Sequence, residues 1–462
     1  MKKKCLLLVF LNFIFSPIFA DFKYYEIPDS LKIRQNAEKE WFYADLSELR
    51  NKPFQNVEND FGQKFQIRME ENDESYFIIV CPVKKRKIDF YTEKGIETRE
   101  VEEYSSDMEG SWVLKKNSKT QNFEELSVYF SANSFQFIKF TPQYLNSKQT
   151  EKVLADFMIY PFYVAKDVPV GIEFKNLLTM SFTEIYYLTQ KILPWKYADT
   201  QQGQFSSKLK MLNVLRKNSG KFAYLENSCF DEDGVLVNIT DGKKKNFSDE
   251  EEIYFKDKIP LDDAGFLKWV IDGFIQPITG SRLFREPLLV KTVEYQKIGK
   301  QSALDKKIDL SFTLDWCRNL SAAHFSVRTG RNYLWNEVAT DVNIKPFSAM
   351  EKNGQTLRTS SYIKDSGYKI EQLNAILYIL VATEPSYAYL ASIKRPFNNE
   401  NGEYFSFTNC ALIIPFFDEN GIFTCTVFEG GKEYSLKDFV SSLPDSFVNL
   451  SRFLVLEQFF PE

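Results

Sequence analysis

The chain has 462 residues, 44% of them hydrophobic and 26% charged, with a formal net charge of −5. That balance excludes a disordered, collagen-like or coiled-coil chain and leaves room for two to four cores that need no disulfides. One histidine, His324, is present, so multi-histidine metal sites are excluded, and any Ser-His or Cys-His mechanism must run through it.

Residues 1–20 read as a secretory signal. Lys2, Lys3 and Lys4 precede the apolar run Leu6 to Phe19, and Ala20 supplies a small residue before Asp21. Its removal takes three lysines and no acids, so the net charge of −5 becomes −8. An acidic chain argues against nucleic acid as a partner. The basic runs Lys84 to Lys87 and Lys243 to Lys245 are each followed by acids and read as solvated faces rather than anion sites. Later stretches are too short and too interrupted for a transmembrane helix. The expected location is periplasmic or secreted. The remaining cysteines, Cys81, Cys229, Cys317, Cys410 and Cys425, show no paired spacing.

Residues 21–150 read as a β-rich N-terminal domain. Tyr76 to Val80 is a buried-strand run, and Leu126 to Phe130 and Phe135 to Phe140 alternate. Residues 151–220 read as a middle α/β region, with strands at Phe157 to Val164 and Val170 to Phe174. Its helices are expected at Ser181 to Leu193, ended by Pro194, and at Lys208 to Val214.

Residues 221–462 read as a third region. Phe222 to Leu225 and Val235 to Ile239 look like a strand pair around the turn Asp231 to Gly234. Asp263 to Phe274 puts Phe266, Leu267, Val270, Ile271 and Phe274 on one helical face, and Thr313 to Phe325 is a second helix. Strands are then expected at Leu373 to Val381, Tyr387 to Ile393, Phe405 to Phe417, Ile422 to Phe428 and Arg452 to Phe459. Helices leading into an antiparallel sheet make the fold class α+β.

The stretch Leu261-Asp262-Asp263-Ala264-Gly265-Phe266-Leu267-Lys268-Trp269-Val270 resembles the start of the catalytic helix in NlpC-type cysteine peptidases, which opens Asp-Cys-Ser-Gly-Phe-Val. Asn374 to Ile379 and Tyr387 to Ser392 resemble the first two strands of that family's sheet, and the likeness spans roughly residues 220–460. It implies a papain-like domain with a cleft for bacterial cell-wall peptide. The family's cysteine falls at Asp263. Its histidine falls at Tyr387, or on an alternative alignment at Asn409, and its third polar residue near Ser406, Thr408 or Asn409. The Cys-His pair is therefore missing on either alignment, and no cofactor or metal is expected.

A helix N-terminus favours thiolate, and it equally suits a carboxylate, so Asp263 is expected to cap its helix. Asp262 and Asp263 alone are too few acids for a cation site. Cys317 and His324 share a helix face but stand about 10.5 Å apart along it, beyond hydrogen-bond reach. Cys317 reads as a packing residue and His324 as a helix-end or interface residue. Thr279, Ser281 and Arg282 beside the turn at Gly280 read as a capped loop.

The expected function is an exported cell-envelope protein with a non-catalytic, binding or structural NlpC-like domain. Its partner would be cell-wall peptide or another envelope protein. Two alternatives stand beside it: a hydrolase of cell-wall peptides using Asp263 or another acid, and an envelope interaction protein unrelated to that family.

Overall fold

The computed structural model describes residues 27–461 except 93–94, 146–147, 199–202, 294–309, 345–347, 351–355, 359–361 and 400–401. The expected signal segment lies outside these residues. Helices and antiparallel sheets together make the chain α+β.

The N-terminal unit opens with α1 (Leu31–Ala37), which runs into a π-helical turn, Glu38–Phe42, and then α2 (Leu46–Leu49). Ten strands follow: β1 (Gln55–Glu58), β2 (Lys64–Glu71), β3 (Ser75–Pro82), β4 (Lys84–Thr92), β5 (Gly95–Glu103), β6 (Trp112–Asn117), β7 (Phe123–Tyr129), β8 (Gln136–Leu145), β9 (Lys148–Ile159) and β10 (Phe162–Pro169). Eight form one antiparallel meander in the order β1-β2-β3-β6-β7-β8-β9-β10, and β4 and β5 form a separate hairpin. The register lines up Val80, Trp112, Val128, Ile138 and Phe157 as cross-strand partners. All five are buried on the face covered by α1, α3 (Phe174–Thr179) and α4 (Phe182–Thr189). The basic run Lys84 to Lys87 lies on β4 opposite the acidic β5, with Lys85 Nζ 3.3 Å from Glu100.

The boundary expected at residue 150 falls inside β9: Val153, Ala155, Phe157, Phe174 and Phe182 pack into the same core as the earlier strands, while Ile159 and Phe162 pack into the second core. Val170 to Phe174 is not a strand, because Phe174 already opens α3.

The second unit contains α5 (Ser206–Asn218), β11 (Phe222–Tyr224), β12 (Ser228–Phe230), β13 (Leu236–Asn238), α6 (Asp249–Phe255), β14 (Ile259–Leu261), α7 (Asp263–Thr279) and α8 (Phe312–Thr329). Then come β15 (Ser348–Met350), β16 (Thr356–Arg358), β17 (Tyr368–Lys369), α9 (Leu373–Thr383), β18 (Tyr387–Asn399), β19 (Gly402–Phe417), β20 (Phe423–Glu429), β21 (Lys432–Ser435), α10 (Leu436–Ser441) and β22 (Phe447–Leu454). A six-stranded antiparallel sheet has the order β17-β22-β18-β19-β20-β21. The expected pairing of Phe222 to Leu225 with Val235 to Ile239 does not form. β11 pairs in parallel with β14, and β13 pairs with β12.

Leu373 to Val381, expected as a strand, is α9. Eight of its eleven residues are buried, and a helix that is apolar all round needs burial on every side. α9 finds this between the two units. Its Tyr378 Oη lies 2.8 Å from Gln136 Oε1 and 3.1 Å from the Tyr197 carbonyl. The Tyr378 ring packs edge-on against Phe135, Phe417 and Phe423.

α7 carries twelve buried residues and ends at Gly280, whose φ of 79° is left-handed. Its interior charges, Lys268 and Asp272, pair at 2.7 Å one turn apart, and Asp272 also accepts from the Leu283 N–H. α8 lies beside α7 and over the sheet. The Trp316 indole N–H donates to the Ala264 carbonyl at 2.8 Å, so the start of α7 is fastened to α8.

Candidate functional site

Asp262, not Asp263, is the cap of α7. Its carboxylate accepts the Gly265 N–H at 2.7 Å, the bond from the third helical residue that a residue at the cap position can reach. Asn227 and Ser228 add backbone N–H donors to the same carboxylate. Burial nevertheless pushes the Asp262 carboxyl up to about 6, with the neighbouring Asp263 adding to the rise. A Cβ on Gly265 would stand 1.9 Å from the Ser228 carbonyl oxygen. Glycine at this position is what lets the first turn of α7 lie against β12.

With Asp262 occupied as the cap, Asp263 is the first helical residue and its side chain is released toward the sheet. There the Asn409 side chain, on β19, hydrogen-bonds the Asp263 carboxylate. Asn409 is held in turn by Thr408, whose Oγ1 donates to Asn409 Oδ1 at 2.9 Å. Burial raises the Asp263 carboxyl above its ordinary value and the Asn409 bond opposes the rise.

A third group is Glu429, the last residue of β20. Burial first, and then the Asp263 charge, push its carboxyl up to about 7, while Arg395 opposes the shift. Gly430 and Gly431 follow with φ of 52° and 81° and turn the chain into β21. Asp263 Oδ1 lies only 3.0 Å from where a Cβ on Gly430 would stand, so this turn closes over the carboxylate. Tyr224 completes the surroundings, its phenol raised by burial and by the charges of Asp262 and Asp263.

The structure does not bring Tyr387 to this cluster. Asn409 pairs with Ile393 on β18, and Ile393 lies six residues after Tyr387, or about 20 Å along the strand. Tyr387 instead meets Phe325, with ring centroids 6.4 Å apart, and lies under Arg452. Ser406 is buried opposite Arg395, and Thr408 is exposed beside Asn409.

The two groups that nucleophilic catalysis would need are elsewhere. His324 is not at a helix end; it is fully buried inside α8, boxed by Phe274, Phe325 and Phe453. Neither ring nitrogen has a hydrogen-bond partner, and burial lowers the imidazole to about 4. Cys317 is fully buried. Thr279 closes the C-terminal turn of α7 through Ser281 and Ile275, and Arg282 lies over Phe230.

Glu429 and Tyr224 were missed in the sequence. The one available signal was the Gly430-Gly431 turn, which marks a hairpin but not which strand its leading acid faces. Chemically, the cluster offers a carboxylate at the positive end of a helix, an amide donor, and a second carboxyl that is partly protonated near neutral pH. Among the described residues, no group of three or more His, Cys, Asp and Glu side chains could hold a metal ion. No helix among them is long and apolar enough to cross a membrane.

Residues 23–197 match the model of a family described as a domain of unknown function (DUF8515). The matched stretch ends at the helical turn Trp195–Tyr197, where the N-terminal unit ends, and does not reach Asp263. No curated protein and no solved structure matches the chain.

Proposed function

We propose that this is an exported protein of the cell envelope whose second unit is a papain-like, NlpC-resembling domain that binds peptide without cutting it. The observation that carries this reading is the Asp263–Asn409 contact. In the resembled peptidases a thiolate at a helix N-terminus works with an imidazole on a facing strand; here the side chains that meet from a helix N-terminus and a strand are a carboxylate and an amide. Carboxylate is the weaker nucleophile, and an amide cannot take up a proton. The same groups bind well: the carboxylate accepts from peptide N–H groups or an ammonium, and the exposed Tyr224 offers an aromatic wall.

A second reading has one observation in its favour. Glu429 and Asp263 are neighbouring carboxyls whose environments favour sharing a proton, the arrangement of an acid–base pair. It makes the chain a hydrolase of cell-wall peptides.

Incubation with cell-wall stem peptides, with and without a thiol-alkylating reagent, separates the readings. No turnover by the native chain or by His324→Ala is expected. Cleavage that resists alkylation and is lost in Asp263→Ala would establish the second reading. Cleavage abolished by alkylation and by His324→Ala would overturn both.

A further inference from the structure

α8 crosses the second sheet along the face that carries Ser392 and Cys410. Ser392 Oγ donates to the Thr313 carbonyl at 3.0 Å, and Ser321 Oγ donates to the Arg452 carbonyl at 2.5 Å. Thr313, Cys317 and Ser321 are spaced by four, so they line the one helix face that meets the strands. On the sheet, Cys410 stands directly opposite Ser392 in the antiparallel register of β18 and β19, and directly opposed residues project from the same face. The two side chains meet in that layer: Cys317 and Cys410 are free thiols joined by a side-chain hydrogen bond, and both are wholly excluded from solvent.

The remaining described cysteines have other surroundings. Cys81 lies against the Arg68 guanidinium at 3.1 Å. Cys229 sits near Lys268 and Arg285, and Cys425 near Lys208.

We propose that Cys317 and Cys410 are the sites of a disulfide in the mature exported chain, tying α8 to β19 directly behind Asn409 and so fixing the floor on which Asp263 rests. This rests on the export reading, because an oxidising compartment is where such a bond forms and persists. A buried thiol pair is closed to oxidants once α8 is docked, so the bond is made during folding. The oxidant is a disulfide donor, either glutathione disulfide or a thiol oxidoreductase. The Cys410 thiolate attacks one donor sulfur, the donor S–S bond breaks, and the first donor thiol leaves. The Cys317 thiolate then attacks the Cys410 sulfur of the mixed disulfide, forming the Cys317–Cys410 bond and releasing the second donor thiol. The two cysteines lose two electrons and two protons, and the donor gains them as two thiols. The long loop enclosed makes the bond effective in restricting the unfolded chain.

The test is a peptide mass map of the full-length protein taken from its own cells, with free thiols alkylated under denaturing conditions before any reduction. The expected result is a mature N-terminus at Asp21, alkylated Cys81, Cys229 and Cys425, and a linked Cys317–Cys410 peptide that separates on reduction. A mature chain with both thiols alkylated would overturn the proposal alone. A chain that still begins at Met1 with both thiols alkylated would overturn it together with the export reading. Purified chain, reduced, unfolded and refolded with glutathione disulfide, tests the geometry independently of export. The linked peptide is expected there, and its midpoint of urea unfolding should fall when reductant is added, a shift absent in Cys410→Ala. Refolded native-like protein with no linked peptide would overturn the proposal.

Discussion

His324 shows how little a residue's identity says before its surroundings are known. The one imidazole in the chain would be the natural general base, yet three phenylalanine rings enclose it and Arg328 opposes its charge. It is held neutral, with a folded value of about 4, below the ordinary 6.5 or so. The unfolded chain therefore takes up the proton first as pH falls. Stability is lost between about pH 6.5 and pH 4, by about 3 kcal/mol in all, and this contribution is constant below that window. In His324→Leu the contribution disappears. Urea unfolding at pH 7 and pH 4 is expected to show the native chain losing about 3 kcal/mol more than the variant over that interval. Parallel pH profiles for the two proteins would contradict the burial of a neutral imidazole.

At the scale of elements, α7 and α9 were not equally readable. The α7 pattern was clear because its apolar residues recur at helical spacing, and Gly280 marks its end. The position of Asp263 at its start was legible from the same run, although the cap proved to be Asp262. α9 was misread because Leu373 to Val381 is apolar without period, and such a run fits a buried strand as well as a buried helix. The nine-residue run, which the helix extends to eleven, was long for a strand, and that length was its hint of a helix. Asn409 was legible as one of two alignments, but which of Asn409 and Tyr387 faces α7 depends on strand register, which a single sequence does not carry. Glu429 was hidden for the same reason. Gly265 gives a test in which propensity and packing disagree in sign. Alanine is the better helix former by about 1 kcal/mol, but its Cβ would stand 1.9 Å from the Ser228 carbonyl oxygen. Gly265→Ala is expected to destabilise the chain by about 2 kcal/mol or more, because backbone must move. Unchanged or increased stability in urea unfolding would mean that α7 does not lie against β12 as described.

At the scale of the whole molecule, the two cores share a buried polar knot, and Ile159 and Phe162 of β9 and β10 also pack into the second core. Tyr378 from α9 meets Gln136 and Tyr197 of the first unit. Asn133 accepts from the Phe423 N–H at 2.8 Å and approaches the Gly421 carbonyl. Phe135 packs against Tyr378 and Phe423. Removing the Tyr378 hydroxyl leaves buried acceptors short of a donor, at about 1–3 kcal/mol. Because that hydroxyl serves both units, scanning calorimetry of the full chain is expected to show one transition, shifted down as a whole in Tyr378→Phe. Two transitions, with only one of them shifted, would contradict a shared knot.

The proposed peptide-binding role of the second unit is tested most directly by titrating a cell-wall stem peptide into the full-length protein and into Asp263→Ala and Asn409→Ala, followed by calorimetry. The expected result is saturable binding to the native chain without turnover, weakened roughly ten- to a hundredfold in each variant, as for the loss of one charge-assisted hydrogen bond of about 1.5–3 kcal/mol. No saturable heat from the native chain, or equal affinity in all three proteins, would contradict a peptide seat built on Asp263 and Asn409.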